Sequence, residues 1–148
     1  MNVISRIKLY WSKLSFVLDF GYSKYKMCHI YGSYTIVDAK KLKFNRDLAI
    51  NDFVYLNASG GVNLGSNVIL SAGSKVISTG LVFNNGEFQY QSQPISIGNN
   101  VQLGAGAIVL PGVSIVDNVI IGAGAIVTKD VKEPGVYIGQ PVRKIKDA

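Results

Sequence analysis

From Ile97 onward the chain repeats every six residues: IGNNVQ, LGAGAI, VLPGVS, IVDNVI, IGAGAI, VTKDV. An aliphatic residue opens each hexad, at Ile97, Leu103, Val109, Ile115, Ile121 and Val127, and the fifth position is small or β-branched, at Val101, Ala107, Val113, Val119, Ala125 and Val131. A period of six is neither the 3.6 of a helix nor the two-residue alternation of one long strand. It suits a very short strand followed by a turn. The aliphatic residue points inward, glycine or asparagine accepts the turn conformation, and three such units close one triangular coil. Stacked coils pair as parallel strands, so inward positions form ladders, and no core exists until several coils stack.

The rhythm also runs upstream through Leu64, Leu70 and Val76, and before them Ile50, Val54 and Leu56 keep it. Eight residues rather than six separate Leu56 from Leu64, which predicts a two-residue bulge at Ser59, Gly60 and Gly61. "YTIVDAKKLKF" reads as a poorer first coil, with residues 2–20 as a cap. The expectation is one all-β domain over 1–148, a left-handed parallel β-helix with a short N-terminal helix. Its parts are an amphipathic helix at 1–20, first coils at 44–80, a polar loop at 81–94, later coils at 95–131 and a tail at 132–148.

The N-terminal segment "NVISRIKLYWSKLSFVL" carries Val3, Ile4, Ile7, Tyr10, Trp11, Leu14, Val17 and Leu18 at helical spacing, interrupted by Arg6, Lys8 and Lys13. It falls short of the roughly 20 apolar residues of a membrane span and lacks a signal-peptide cleavage site. Two readings follow: a helix packed on the body of the protein, or an interfacial helix through residues 2–18 on anionic lipid. Sixteen glycines, 48% hydrophobic residues and only 16% charged residues argue against disorder. The net charge of +6 is spread along the chain without a recognition motif, so no nucleic-acid partner is expected. One cysteine, Cys28, and one histidine, His29, exclude an intrachain disulfide, a thiolate zinc cage and a three-histidine site within one subunit. A cytoplasmic, metal-free protein is expected, at the inner membrane face if the N-terminal helix touches lipid.

The stretches "VNLGSNVILSAGSKVIS", "PISIGNNVQLGAGAIVLPGVSI", "NVIIGAGAIVTKDV" and "YIGQPVRKIK" resemble the left-handed β-helix, hexapeptide-repeat acyltransferases. Within them the resemblance is to sugar O-acetyltransferases, the maltose and galactoside enzymes and their polysaccharide-modifying relatives, over roughly residues 44–146. It implies a homotrimer with sites between neighbouring solenoids, acetyl-CoA as acyl donor and a sugar acceptor: the maltose-type resemblance suits a soluble small sugar, while the basic amphipathic N-terminus suits a lipid-linked saccharide of cell-surface polysaccharide synthesis. It also implies a histidine base in the loop that interrupts the repeat, because a sugar hydroxyl needs a base to take its proton as it attacks.

At the positions where the resemblance puts that histidine, this chain has Leu81, Val82 and Phe83, or Tyr90. Glu87, Tyr90 and His29 are the open alternatives for the missing base. Glu87 would need its pKa raised by desolvation, and Tyr90, ordinarily at about 10, would need it lowered. For the donor the resemblance implies backbone groups at Gly104, Ala105, Gly122 and Ala123, with Lys129, Arg143 and Lys144 for the CoA phosphates. For the acceptor it implies Asn57, which read by itself is as readily a turn asparagine bonded to its own backbone. A non-catalytic homologue that binds a ligand or assembles with a partner is the alternative function.

Overall fold

The computed structural model describes residues 3–147, and in it the hexads become the sides of a left-handed β-helix. The first coil is β1 (Cys28–Ile30), β2 (Tyr34–Val37) and β3 (Leu42–Phe44), and the second is β4 (Leu48–Ile50), β5 (Val54–Asn57) and β6 (Val62–Leu64). The third coil starts with β7 (Val68–Leu70) and β8 (Lys75–Ile77), detours through β9 (Thr79–Asn84) and β10 (Glu87–Ser92), and closes with β11 (Ile95–Ile97). Next come β12 (Val101–Leu103), β13 (Ile108–Val109) and β14 (Ser114–Ile115), then β15 (Val119–Ile121) and β16 (Ile126–Val127), whose third side is the single bridge Ile115–Val131. β17 (Gly135–Ile138) begins another coil, and β18 (Arg143–Lys146) folds back antiparallel on it and ends the stack.

Three parallel ladders result. The first face holds β1, β4, β7, β12, β15 and β17; the second holds β2, β5, β8, β13 and β16; the third holds β3, β6, β11 and β14. Every inward position named from the hexad pattern is buried, from Ile97 to Val131. Register keeps like on like: Leu48 lies on Val68, Val68 on Val101 and Val101 on Val119. At the corner between the third and first faces Asn67, Asn100 and Asn118 all take left-handed backbone conformations, which asparagine tolerates better than branched residues. Their side chains are linked from coil to coil: Asn67 donates to Asn100, and Asn100 to Asn118, each at 3.0 Å.

The stack begins before the regular coils expected from residue 44: β2 and β3 lie in "YTIVDAKKLKF", the stretch read as a poorer first coil, and β1 lies further back still. β1 lies in "MCHIYG", so His29 belongs to a coil, on the outward side of its strand between buried Cys28 and Ile30. Burial pushes the Cys28 thiol up to about 12, which keeps it protonated and unreactive near neutrality.

The N-terminal segment forms α1 (Val3–Phe20) and, after Gly21, α2 (Tyr22–Tyr25). Gly21, at φ 81° and ψ 160°, takes a positive-φ extended conformation that favours glycine, ends α1 and donates to Val17 O at 2.8 Å. α1 caps the open end of the first coil, but not through the apolar stripe that defines it in the sequence. Phe16, fully buried, enters instead, against Phe20 at 4.6 Å, Phe44 at 5.8 Å and Tyr34 at 6.3 Å between ring centroids. Leu9 packs beside it, and Tyr34 donates its phenol proton to Ser12 O at 3.0 Å. Val3, Ile4, Ile7, Tyr10, Trp11 and Leu18 face away from the core.

Ser74 takes an inward slot like those of Ala107 and Ala125, and its buried hydroxyl has no hydrogen-bond partner among the described residues. Ser74→Ala is therefore expected to stabilise the fold, by about 1 kcal/mol, because an unpaired buried hydroxyl retains its desolvation cost. Leu103→Ala, on a fully buried rung, should cost about 2–5 kcal/mol. Urea unfolding of both variants beside the parent chain checks the opposite signs.

Candidate functional site

The corner between the second and third faces is where the coils depart from regularity. In the first coil it holds a 3-10 turn, Ala39–Lys41, in the second the turn at 58–61, and in the third the whole β9–β10 excursion. In the fourth coil it shrinks to the tight turn at 110–112, and in the fifth to 128–130. The repeat length follows this corner: 20 residues from Leu48 to Val68, 33 from Val68 to Val101 and 18 from Val101 to Val119.

The interruption expected as a loop at 81–94 is an antiparallel hairpin. Asn85 and Gly86, at φ 49° and 83°, make its two-residue turn, a pair favoured where both turn residues need positive φ. Leu81 pairs with Tyr90 and Phe83 with Phe88. Directly opposed residues share a face, so these four side chains form one apolar face of the arm, all exposed, Tyr90 at 82%. The two places from which the resemblance draws a histidine, residues 81–83 and residue 90, are thus cross-strand neighbours on one structural spot.

Glu87 pairs with Asn84 and, three residues from Tyr90, projects from the opposite face. One side of the arm can therefore offer Tyr90 or Glu87, not both. His29 is on the outward side of the first face, stacked on Tyr31 at 6.4 Å, two coils below the hairpin and on another side of the prism. The three alternatives for the base do not converge within one chain.

The base of the arm is tightly held. Thr79 and Ser92 hydroxyls lie 2.8 Å apart, Ser78 Oγ accepts from Gly60 N–H at 2.8 Å, and Gln93 N–H donates to Ser78 O at 2.8 Å. A Cβ on Gly60 would come within 2.5 Å of Ser78 O and 2.9 Å of Gln93 N, so only glycine fits beneath the hairpin. Asn57 ends the strand below, where its Oδ1 accepts from Ser59 N–H at 2.9 Å, the turn role; its carbonyl accepts from Ser78 Oγ at 2.7 Å. The structure thus puts Asn57 at the hairpin's foot but spends its side-chain oxygen on the backbone. Asp38 and Lys41 join from the coil below: Ser59 Oγ donates to Asp38 at 2.5 Å, and Lys41 Nζ to Ser59 O at 2.8 Å. Sequence reasoning missed this polar shelf, since its members come from three coils.

The residues expected to hold the donor lie elsewhere. Gly104 with Ala105, and Gly122 with Ala123, stack at the corner between the first and second faces. The N–H groups of Gly104 and Gly122 donate to Ile121 O and Tyr137 O, each at 2.7 Å, so they serve the coil stack. A Cβ on Gly104 would sit 2.6 Å from Ala123 N, which makes this glycine a packing requirement. Ala105 and Ala123 are the exposed members of each pair. Arg143 is exposed on β18, whereas Lys144 is engaged by Asp147 at 2.8 Å and Glu133 at 3.0 Å, and those two carboxylates hold its pKa above the usual lysine range. Lys129 sits apart from these, exposed at the hairpin's corner two coils above it. Among the described residues no group of three His, Cys, Asp or Glu side chains gathers.

Residues 94–129 match the family model for the hexapeptide repeat of succinyl-transferase. Among solved structures, galactoside acetyltransferase in complex with coenzyme A is similar over 99% of this chain and 84% of its own, with 25% identity and a TM-score of 0.74. The chain has the hexapeptide-repeat acyltransferase fold. A maltose O-acetyltransferase from Clostridium difficile 630 is 22% identical, over 99% of this chain and 89% of its own, with a TM-score of 0.76. A hexapeptide-repeat acetyltransferase from Vibrio cholerae O1 biovar eltor, complexed with acetyl coenzyme A, is 16% identical over 96% and 86%, with a TM-score of 0.74. Compared by sequence with curated proteins, the chain finds no match.

Gly60→Ala tests the site's architecture. With backbone atoms crowding the new methyl, it should cost about 1–3 kcal/mol as an overpacked position. Faster amide hydrogen exchange should be concentrated in residues 78–93, whereas a change spread evenly over the coils would contradict the hairpin's dependence on this contact.

Proposed function

We propose that this protein is an acetyl-CoA-dependent O-acetyltransferase acting on a sugar hydroxyl, with its site completed between neighbouring chains of a homotrimer. The observation that carries the reading is the division of labour in the fold. The hairpin, Asn57 and Lys129 occupy one corner of the prism, while Ala105, Ala123 and Arg143 belong to another corner and its adjoining face. One chain presents an acceptor side and a donor side, and a second copy brings one against the other. The relative complexed with coenzyme A supports the donor class. The basic amphipathic N-terminal helix suits an acceptor assembled at a membrane, a lipid-linked saccharide of cell-surface polysaccharide synthesis.

The residues present fit an acyl-CoA donor in two respects: an exposed strip of small side chains at Ala105 and Ala123, and a nearby end of the stack carrying the exposed guanidinium of Arg143. Acetyl-CoA would supply the acetyl group as a thioester. This chain's own groups then divide the work. Small side chains at Ala105 and Ala123 let a ligand approach the backbone closely, where N–H groups can steady developing negative charge on a carbonyl oxygen. Arg143 offers charge-assisted hydrogen bonds to phosphate, and Lys129 adds positive charge at the acceptor corner. Lys144, already paired with two carboxylates, chiefly anchors the tail.

We assign Tyr90 the contact with the acceptor hydroxyl, because the resemblance puts the base at this position; taking the proton requires the phenolate, which a cation brought by the neighbouring chain would have to stabilise. Glu87 projects from the opposite face of the arm and is given no part in this step. The apolar company of Tyr90, with Leu81, Phe83 and Phe88 around it, also favours a second reading, a binding homologue that no longer turns over.

Release of CoA thiol from acetyl-CoA in the presence of a panel of mono- and oligosaccharides separates the two. The enzyme reading predicts acceptor-dependent thiol release, cut by at least tenfold in Tyr90→Phe and left near the parent rate in Glu87→Gln. Tyr90→His should raise the rate and give an acid limb near the imidazole pKa of about 6.5. Binding of acetyl-CoA with no thiol release from any acceptor, restored in Tyr90→His, would establish the non-catalytic reading instead.

A further inference from the structure

α1 has two apolar faces, and the fold uses only one. At ~100° per residue, Leu9, Phe16 and Phe20 fall on the side sunk into the first coil. Ile4, Ile7, Tyr10, Trp11 and Leu18, with half-buried Leu14 among them, fall on the opposite side over a sector of roughly 120°. Ile4 is 65% exposed, Trp11 63% and Leu18 79%. Arg6 and Lys13 run along one border of this sector and Lys8 along the other, while the helix's one acidic residue, Asp19, lies in its last turn.

We propose that this outward face of α1 docks the protein on an anionic phospholipid surface, with the helix lying in the plane of the headgroups. Charge chooses lipid over a second copy of the chain. Two such faces meeting would bring Arg6, Lys8 and Lys13 of each into the rim of one contact, whereas anionic headgroups neutralise them. The cations stand where their stems can follow the apolar face and their charged ends reach phosphate. Tyr10 and Trp11 supply the amphipathic rings suited to the headgroup level. Other exposed rings extend the same end of the molecule: Tyr31 and Phe53 flank the cleft where Lys8 faces the carboxylate of Asp52, and Tyr22 has Lys26 Nζ 5.0 Å from its ring centroid. No helix among the described residues is long and apolar enough to cross a membrane, so the contact lies on the surface.

The position of α1 gives the docking a geometry. It caps the end of the coil stack, so copies related by rotation about an axis parallel to the stack and outside it present their helices at one end. The hairpin of the third coil is then held off the surface by two coils. This inference does not depend on acetyl transfer.

Trp11, the chain's one tryptophan, reports the contact directly. The purified full chain is mixed with vesicles of phosphatidylcholine alone, or of phosphatidylcholine with phosphatidylglycerol at about three to one, and followed by Trp11 emission and co-sedimentation. The expected result is a blue shift and pelleting with the anionic vesicles only, reversed by high salt. Arg6→Glu and Lys13→Glu should each weaken partitioning by roughly tenfold or more, and Ile7→Asp should abolish it. All three residues are outside the core, so circular dichroism and thermal midpoints should remain those of the parent. An unshifted Trp11 spectrum with anionic vesicles overturns the proposal. So does a lipid-free parent oligomer that dissociates in Ile7→Asp, which would assign the face to a second copy.

Discussion

Everything in this molecule depends on coil-to-coil registry of short strands whose inward residues repeat. Each hexad is too short to bury anything alone, so its aliphatic residue is stabilised only by the residues directly above and below it. Val68, Val101 and Val119 make one such column, and Leu70, Leu103 and Ile121 another. At roughly 25 cal/mol per Å² of apolar surface removed from water, these columns supply the main driving force. The backbone bonds between coils, such as Gly104 N–H to Ile121 O at 2.7 Å, hold the register. Both ends of the stack need a cover, supplied by α1 with Phe16 at one end and by antiparallel β18 at the other.

A scaffold locked on three sides can vary only at its corners, and this chain concentrates its variation at one of them. The 3-10 turn of the first coil, the glycine turn of the second and the hairpin of the third lie in one column. The ladders pass this corner undisturbed: Ile95 and Ile97 resume pairing with Val62 and Leu64 after the detour. The arm can therefore vary without weakening the core, and its apolar face of Leu81, Phe83, Phe88 and Tyr90 stays exposed.

The six-residue rhythm made the core legible residue by residue, because burial in a β-helix is a strictly local and periodic property. It was less informative where periods compete. "NNGEF" contains the Asn85–Gly86 turn signal, yet beside the hexads the segment reads as an interruption rather than as a second, two-residue period. The hexad pattern does not reach His29, because Tyr31 and Tyr34 stand where later hexads carry glycine and a small residue, although Cys28 and Ile30 pair with Leu48 and Ile50. In α1 the apolar stripe was visible but its direction was not. Helical spacing shows that Ile4, Ile7 and Trp11 share a side, while only the tertiary fit of Phe16 against Phe44 decides which side is sunk. The polar shelf of Asp38, Asn57, Ser59 and Ser78 joins three coils and leaves no local signature.

The central claim is that this prism binds an acyl-CoA donor even though its arm carries no imidazole. Calorimetric titration of the purified protein with coenzyme A, with Arg143→Ala alongside, tests that claim most directly. The account predicts saturable binding in the micromolar range, weakened about tenfold or more when the guanidinium is removed, a change of roughly 1.4 kcal/mol or above. Absence of heat at millimolar coenzyme A from a folded protein would contradict it, leaving a β-helix that holds something other than an acyl donor.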